Sequence, residues 1–374
     1  MNRKWIRATL AFIIAFYMIY MTIAAKGAPL IATEASAMAV IECGSGKLLF
    51  SDKPDLRLPM ASTTKIMTAL VVLENCDVNE IAEIPDEAVG VEGSSIYLTR
   101  GEKLSVKDLL YGLMLASGND AAVALAVHVA GSVDGFVSMM NKKAVELGLE
   151  RTHFITPNGL HADKHLTTAY ELCLITREAL LIPEFKEIVS TKYYTAASGD
   201  RIRTFKNKNS LLWSYDGAFG VKTGYTSKAG RCLVFGAERE GMTVVGAVLN
   251  CRPMFETASK LLDRAFEDYC VETIIPENTY IGKASIENSP EKLLEVLTKY
   301  SIMAVMQKQS EASFRTEVTL LAPLTAPIKK GDTVGYLRVY DNITLIGETE
   351  LIAAKDAEAT DFGYWWKMLV KLFA

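Results

Sequence analysis

The chain has 374 residues, with 40 Lys and Arg against 44 Asp and Glu, half of its residues hydrophobic and 22% charged. That length supports two domains, and the apolar share excludes long disordered stretches. A formal charge of −4 excludes the basic footprint of a nucleic-acid-binding protein.

The N-terminus carries Arg3, Lys4 and Arg7, then an uncharged run over residues 8–25 ended by Lys26; these are the basic and apolar regions of an export signal. The run is also at the lower limit for crossing a bilayer, so residues 1–28 read as an export signal or an N-terminal anchor. Small residues suited to cleavage stand at Thr22-Ile23-Ala24 and at Ala35-Ser36-Ala37, the second of them within an expected first strand, residues 37–43. Residues 62–75, with Ile66, Met67, Ala69, Leu70, Val71 and Val72, are apolar nearly all round, which predicts a buried helix. Pro59 and the Ser62-Thr63-Thr64 cluster place its start near Ser62. Residues 106–130 predict two buried helices separated by a polar break at Ser117-Gly118-Asn119. The runs 219–226, 232–237 and 243–250 predict strands of an antiparallel sheet. Over residues 271–356 short β-prone runs (317–321, 334–340, 343–347) alternate with Pro, Gly-Asp and Asp-Asn turns, which predicts a separate small β domain. The last thirteen residues, 362–374, hold Trp365 and Trp366 with Lys367 and Lys371 on one helix face. As a helix they reach only about 20 Å, too short to span but suited to lying in a membrane interface, or else to docking on the protein's own surface.

The chemistry starts at Ser62-Thr63-Thr64-Lys65. Three apart on a helix, Ser62 and Lys65 face the same side, so the amine can reach the hydroxyl. It can take the serine's proton only if burial or a neighbouring cation lowers its pKa. A nucleophile in a first turn also has free helix N–H groups beside the developing oxyanion. Taken alone, SxxK reads sooner as a capping serine followed by a solvated lysine. Its company changes that: Ser117-Gly118-Asn119 breaks two buried helices, and Lys222-Thr223-Gly224 lies on a predicted strand. The ordered set SxxK, SxN, KTG resembles the signature of the penicillin-recognising serine enzymes.

The resemblance extends to residues 47–74, to Pro157-Asn158-Gly159-Leu160-His161, to Leu211-Leu212-Trp213 and to the Gly220 to Thr226 segment. Together with the layout, these are similar to the low-molecular-mass penicillin-binding proteins, the serine D-alanyl-D-alanine carboxypeptidases. The resemblance implies an α+β, β-lactamase/transpeptidase-like catalytic domain over residues 29–270, with a helical subdomain and an antiparallel sheet with flanking helices. A small all-β domain over 271–356 and an amphipathic C-terminal anchor over 357–374 would follow. It implies Ser62 as the acylated nucleophile, Lys65 as its base, Ser117 as proton relay and Asn119 as orienting group. Lys222 would supply positive potential, Thr223 would bind the terminal carboxylate, Gly224 would admit the peptide backbone, and the Ser62 and Tyr225 N–H groups would form the oxyanion hole. The implied partners are peptidoglycan stem peptides, β-lactams as covalent inhibitors and the membrane surface, and the implied place is the outer face of the cytoplasmic membrane; no cofactor or metal is implied.

One position departs from the family pattern. Where an arginine often precedes Leu-Leu-Trp to hold the substrate carboxylate, this chain has Lys208 in Asn207-Lys208-Asn209, a point charge and not a bidentate fork. It reads either as a weaker carboxylate ligand or as a surface lysine in a basic stretch with Arg201, Arg203 and Lys206. His161 and His165 lack an HExxH context and read as loop histidines. The six dispersed cysteines show no CxxC spacing and read as mostly free. Two rivals share the fold: a β-lactamase, although the class A ExxLN segment is absent, and a wall-binding protein that has lost activity, against which the intact motif residues argue.

Overall fold

A computed structural model describes residues 34–309 and 313–373; the expected export signal lies outside the described residues. The first strands, β1 (Ala37–Glu42) and β2 (Leu48–Asp52), form an antiparallel hairpin, and β1 is buried along its whole length. The chain then makes a 3-10 turn, Ala61–Thr64, and continues as α1 (Lys65–Asn75). The helix expected from residue 62 therefore opens as a tighter turn. Two hydroxyls account for it: Thr63 Oγ1 donates to the Met60 carbonyl at 2.7 Å and Thr64 Oγ1 to the Ala61 carbonyl at 2.8 Å, competing with the regular helix ladder. Lys65 to Val72 are all buried, and each buried Leu, Ile or Val contributes about 1.5–3 kcal/mol.

A short antiparallel pair follows, β3 (Ile81–Glu83) and β4 (Lys103–Ser105). The Ser105 side chain accepts the Asp108 N–H and so starts α2 (Val106–Tyr111), which widens into a π-type turn, Gly112–Ala116, and stops at Ser117 in the left-handed region (φ 65°). The predicted break is thus a real change of helix. Beyond it lie α3 (Asn119–Ala130), α4 (Val133–Glu146), α5 (Ala169–Ala179) and α6 (Pro183–Ser190). An antiparallel hairpin, β5 (Tyr193–Ser198) with β6 (Arg201–Lys206), and the one-turn α7 (Leu211–Ser214) come next. The predicted strands then appear as β7 (Ala218–Thr226), β8 (Gly230–Arg239) and β9 (Met242–Leu249), followed by α8 (Met254–Asp268), with Ala258, Leu261, Leu262 and Ala265 fully buried. The five long strands form one sheet in the order β2-β1-β9-β8-β7.

By its contacts the chain divides into two compact units. Of the described residues, one comprises those up to Ile41, Leu48–Glu238 and Thr243–Asp263; the other comprises Glu42–Lys47, Arg239–Met242 and those from Arg264 onward. In the second, β10 (Tyr269–Ile275), β11 (Tyr280–Glu287), β12 (Leu293–Thr298) and β13 (Ile302–Gln307) are followed by β14 (Phe314–Leu320), β15 (Leu324–Thr325), β16 (Thr333–Asp341) and β17 (Thr344–Ala353). β10 pairs with β13, and the other six strands run in the order β14-β16-β17-β12-β11-β15 over a core that includes Leu294, Val296, Leu337, Val339 and Leu351. The last helix, α9 (Phe362–Phe373), leaves Trp365, Trp366, Leu369 and Phe373 exposed. Among the described residues no single helix is long and apolar enough to cross a membrane. The whole is the α+β arrangement the resemblance implies.

Two glycines in the five-stranded sheet make room for aromatic rings. A Cβ on Gly246 would stand 2.2 Å from Phe235 Cζ, and one on Gly236 would stand 2.3 Å from Phe219 Cζ. Gly246→Ala therefore overpacks the sheet, and urea unfolding should show a loss of about 1–3 kcal/mol; an unchanged midpoint would mean that the Phe235 ring has another place to go.

Candidate active site

Lys65 occupies the first position of α1 and is completely buried. Its Nζ lies 3.0 Å from Ser62 Oγ, 2.7 Å from Asn119 Oδ1 and 2.6 Å from the Asn158 carbonyl. The first two clusters singled out in the sequence thus meet at one amine. Ala61, just before Ser62, has φ 48°, a left-handed conformation costing roughly 1 kcal/mol for a residue with a Cβ. The two threonine hydroxyls described above hold that turn.

Each partner of the amine is fixed from behind. Asn119 donates its Nδ2 to the Glu92 carbonyl at 2.6 Å, which turns its oxygen toward Lys65. Its neighbour Asp120, buried as well, accepts the Ser95 hydroxyl at 2.5 Å and the N–H groups of Ile96 and Leu98. The loop of residues 92–98 is thereby wrapped around the start of α3. Arg203, on β6, grips the same loop: it donates to both Glu102 carboxylate oxygens, at 2.6 and 2.8 Å, and to the Ile96 and Tyr97 carbonyls. The Asn158 carbonyl is presented by a loop in which Thr68 Oγ1 donates to the Pro157 carbonyl at 2.5 Å. Gly159, at φ 84°, passes so close to the nucleophile turn that a Cβ would fall 2.0 Å from the Ala61 carbonyl oxygen.

His165 is buried behind the same turn. Burial, and after it the charges of His153, His161 and Lys65, lowers its pKa to about 4, so the ring is neutral. Its Nδ1 accepts the Ile155 N–H at 2.9 Å, which puts the ring proton on Nε2 to donate to Thr64 Oγ1 at 2.7 Å. It is a structural prop for the loop and not a ligand, whereas His161 is exposed.

The third cluster closes the site. Lys222, on β7 and fully buried, donates to Ser117 Oγ at 2.9 Å and to the Thr223 carbonyl at 3.0 Å. Ser62, Ser117, Thr223, Gly224, Tyr225 and Lys208 line one cleft of about 320 Å³ together with Ser94 and Arg231. Lys208, exposed at the cleft, donates to Ser94 Oγ at 3.1 Å. Sequence reasoning missed Arg231, which stands opposite Tyr225 in the β7–β8 ladder with its guanidinium over the Tyr225 ring. It also missed Asp120, Glu92 and the Asn158 carbonyl, since a main-chain acceptor and a loop clamp have no side-chain motif to announce them.

The electrostatics follow from two buried amines, Lys65 and Lys222, with the partly exposed Lys208 near them. Burial first, then the charges of Lys222 and Lys208, pushes Lys65 well below the ordinary lysine range, only partly opposed by Asp120. Burial, then Lys208, lowers Lys222 to about 7. Burial lowers Lys208 too.

Residues 22–252 match the family model for D-alanyl-D-alanine carboxypeptidase, and residues 269–359 match that for the C-terminal domain of penicillin-binding protein 5. The D-alanyl-D-alanine carboxypeptidase DacF of Bacillus subtilis is 32% identical over 89% of this chain and 88% of its own. DacA of Escherichia coli is 36% identical over 84% of this chain and 81% of its own. Among solved structures, penicillin-binding protein 5 of Haemophilus influenzae superposes with a TM-score of 0.72 at 27% identity, covering 89% of this chain and all of the other.

The contact at Gly159 tests how the site is held. Gly159→Ala must displace either the loop bearing the Asn158 carbonyl or the nucleophile turn. Thermal unfolding should show a loss of about 2 kcal/mol or more, whereas wild-type stability would mean that neither segment depends on this approach.

Proposed function

The chain belongs to the D-alanyl-D-alanine carboxypeptidase family and is a serine-type hydrolase, and from that premise we propose that Ser62, Lys65, Ser117, Asn119 and Lys222 remove the terminal D-alanine of peptidoglycan stem pentapeptides through an acyl-enzyme on Ser62. The observation that carries this reading is the hydrogen bonding of Lys65 Nζ, buried and with its pKa pushed well below the ordinary lysine range. A neutral amine has two N–H groups and one lone pair. With the N–H groups given to Asn119 Oδ1 and the Asn158 carbonyl, the lone pair is left for the Ser62 proton.

In the proposed sequence, Ser62 Oγ attacks the carbonyl carbon of the last peptide bond as Lys65 takes its proton. The developing oxyanion is stabilised by the N–H groups of Ser62 and Tyr225. Ser117, held by Lys222, passes a proton to the departing D-alanine nitrogen and takes in its place the one that Lys65 removed from Ser62, which returns Lys65 to its neutral form. Water, deprotonated by Lys65, then hydrolyses the ester. Thr223, Lys208 and Arg231 receive the substrate carboxylate; the guanidinium of Arg231 supplies the planar fork that Lys208 lacks. β-Lactams acylate the same serine. The proposed setting is the outer face of the cytoplasmic membrane, with residues 1–28 directing export, α9 lying in the lipid interface, and cell-wall maturation, in vegetative or spore walls, as the process served.

Intact-protein mass spectrometry should show one penicilloyl adduct on the wild type and none on Ser62→Ala; an adduct that survives the substitution would place the nucleophile elsewhere. The lysines also set the pH profile. As pH rises, Lys65 loses its proton and becomes a base, so kcat/KM climbs on the acid side. Lys222 is charged below about 7 and neutral above it, so kcat/KM falls on the alkaline side. Lys222→Arg, whose charge cannot be removed, should lose the alkaline limb whatever its absolute rate; a limb that stays in place would assign it to another group.

A further inference from the structure

The two helices that begin at Lys65 and Asn119 end beside each other at a group of side chains that the proposed reaction does not use. Cys76 is the residue that follows α1, His128 lies in the last turn of α3, and Glu80 belongs to the loop between α1 and β3. One donor atom from each lies within 4.8 Å of the other two, and among the described residues no other three His, Cys, Asp or Glu side chains converge in this way. His128 Nε2 is 3.3 Å from Glu80 Oε2.

We propose that Cys76 Sγ, Glu80 Oε2 and His128 Nε2 form a divalent-metal site suited to Zn²⁺. Zinc bonds of about 2.0–2.3 Å in tetrahedral array set donor atoms about 3.3–3.8 Å apart. The His128 and Glu80 atoms already meet that spacing, and the sulfur has at most about 1.5 Å to close. Sulfur, nitrogen and carboxylate oxygen together select zinc over magnesium or calcium.

The scaffold behind these donors is built and ordered. Glu80 Oε1 accepts the Asp77 N–H at 2.9 Å, which leaves Oε2 to face His128. The Cys76 N–H donates to the Val72 carbonyl, and the Glu80 carbonyl accepts the Val106 N–H at 2.8 Å. Both α1 and α3 present their carbonyl ends here, the negative poles of their dipoles, which favour a cation. The side chains of His128 and Glu80 are 20% and 48% exposed, so an ion can reach them from solvent and a water can complete the coordination. On binding, the thiol gives up its proton to the buffer, and thiolate and carboxylate together neutralise the ion's two charges. The ion then ties the far ends of the helices that carry Lys65 and Asn119, which makes it a structural ion and not a catalytic one.

The test uses the full chain, stripped of metal and kept reduced with a phosphine. Co²⁺ should bind one equivalent with a thiolate-to-cobalt charge-transfer band in the near ultraviolet, and one equivalent of Zn²⁺ should erase that band. Cys76→Ser should abolish the band, and Glu80→Gln and His128→Ala should each weaken Co²⁺ binding about tenfold or more. Zn²⁺ should raise the Tm of the wild type and leave that of Cys76→Ser unmoved, the metal-free Tm of each variant serving as the check that it folds. A wild type without the band, a band that persists in Cys76→Ser, or a Zn²⁺ shift in Tm that is equal in all four proteins would overturn the proposal.

Discussion

Full burial of the Lys65 amine against Ser62, Asn119 and the Asn158 carbonyl is the constraint on which the cleft rests. An ammonium in a dry interior without a carboxylate partner is expensive, and here two further lysines oppose it. The same surroundings push its pKa down, and two acceptors, Asn119 Oδ1 and the Asn158 carbonyl, hold the amine against the Ser62 hydroxyl. The surrounding architecture can be read as the set of braces that keep those acceptors from moving away.

The braces come from different parts of the chain. Asp120 and Arg203 secure the loop of residues 92–98 from two sides, and that loop in turn holds the Asn119 amide. Thr64, His165 and Gly159 lock the loop after Pro157 against the nucleophile turn. Left-handed backbone stands at Ala61, just before Ser62, and at Ser117 itself. Such strain persists only where neighbouring bonds over-determine it, and here they are hydroxyl-to-carbonyl bonds and a π-type turn.

Much of this was legible in the sequence, and the reasons are physical. The helix α1 announced itself because Ile66 to Val72 are apolar on every side, and the break at Ser117 because a polar trio has no other reason to interrupt two buried helices. The three motifs could be ordered along the chain, although only folding shows that they converge. The hairpin β5–β6 was not legible: of its twelve residues only Ala196 and Phe205 are buried, so it carries no alternating pattern, and its importance lies in a single arginine. Arg231 was overlooked for a similar reason, since one charged residue at the head of a strand looks like any solvated side chain until the ladder sets it opposite Tyr225. The Asn158 carbonyl could not have been found, because every residue has one.

The strand order has a consequence of its own. β7 is the last member of the five-stranded sheet and, among the described residues, has a strand neighbour, β8, on one flank only, so no strand covers its outer flank at Thr223, Gly224 and Tyr225. Open rims of this kind usually invite unwanted aggregation. A strand edge of this kind is suited to an extended chain through atoms common to all peptides; a grip of that sort would be indifferent to most side chains and would leave discrimination to what stands at the end of the rail.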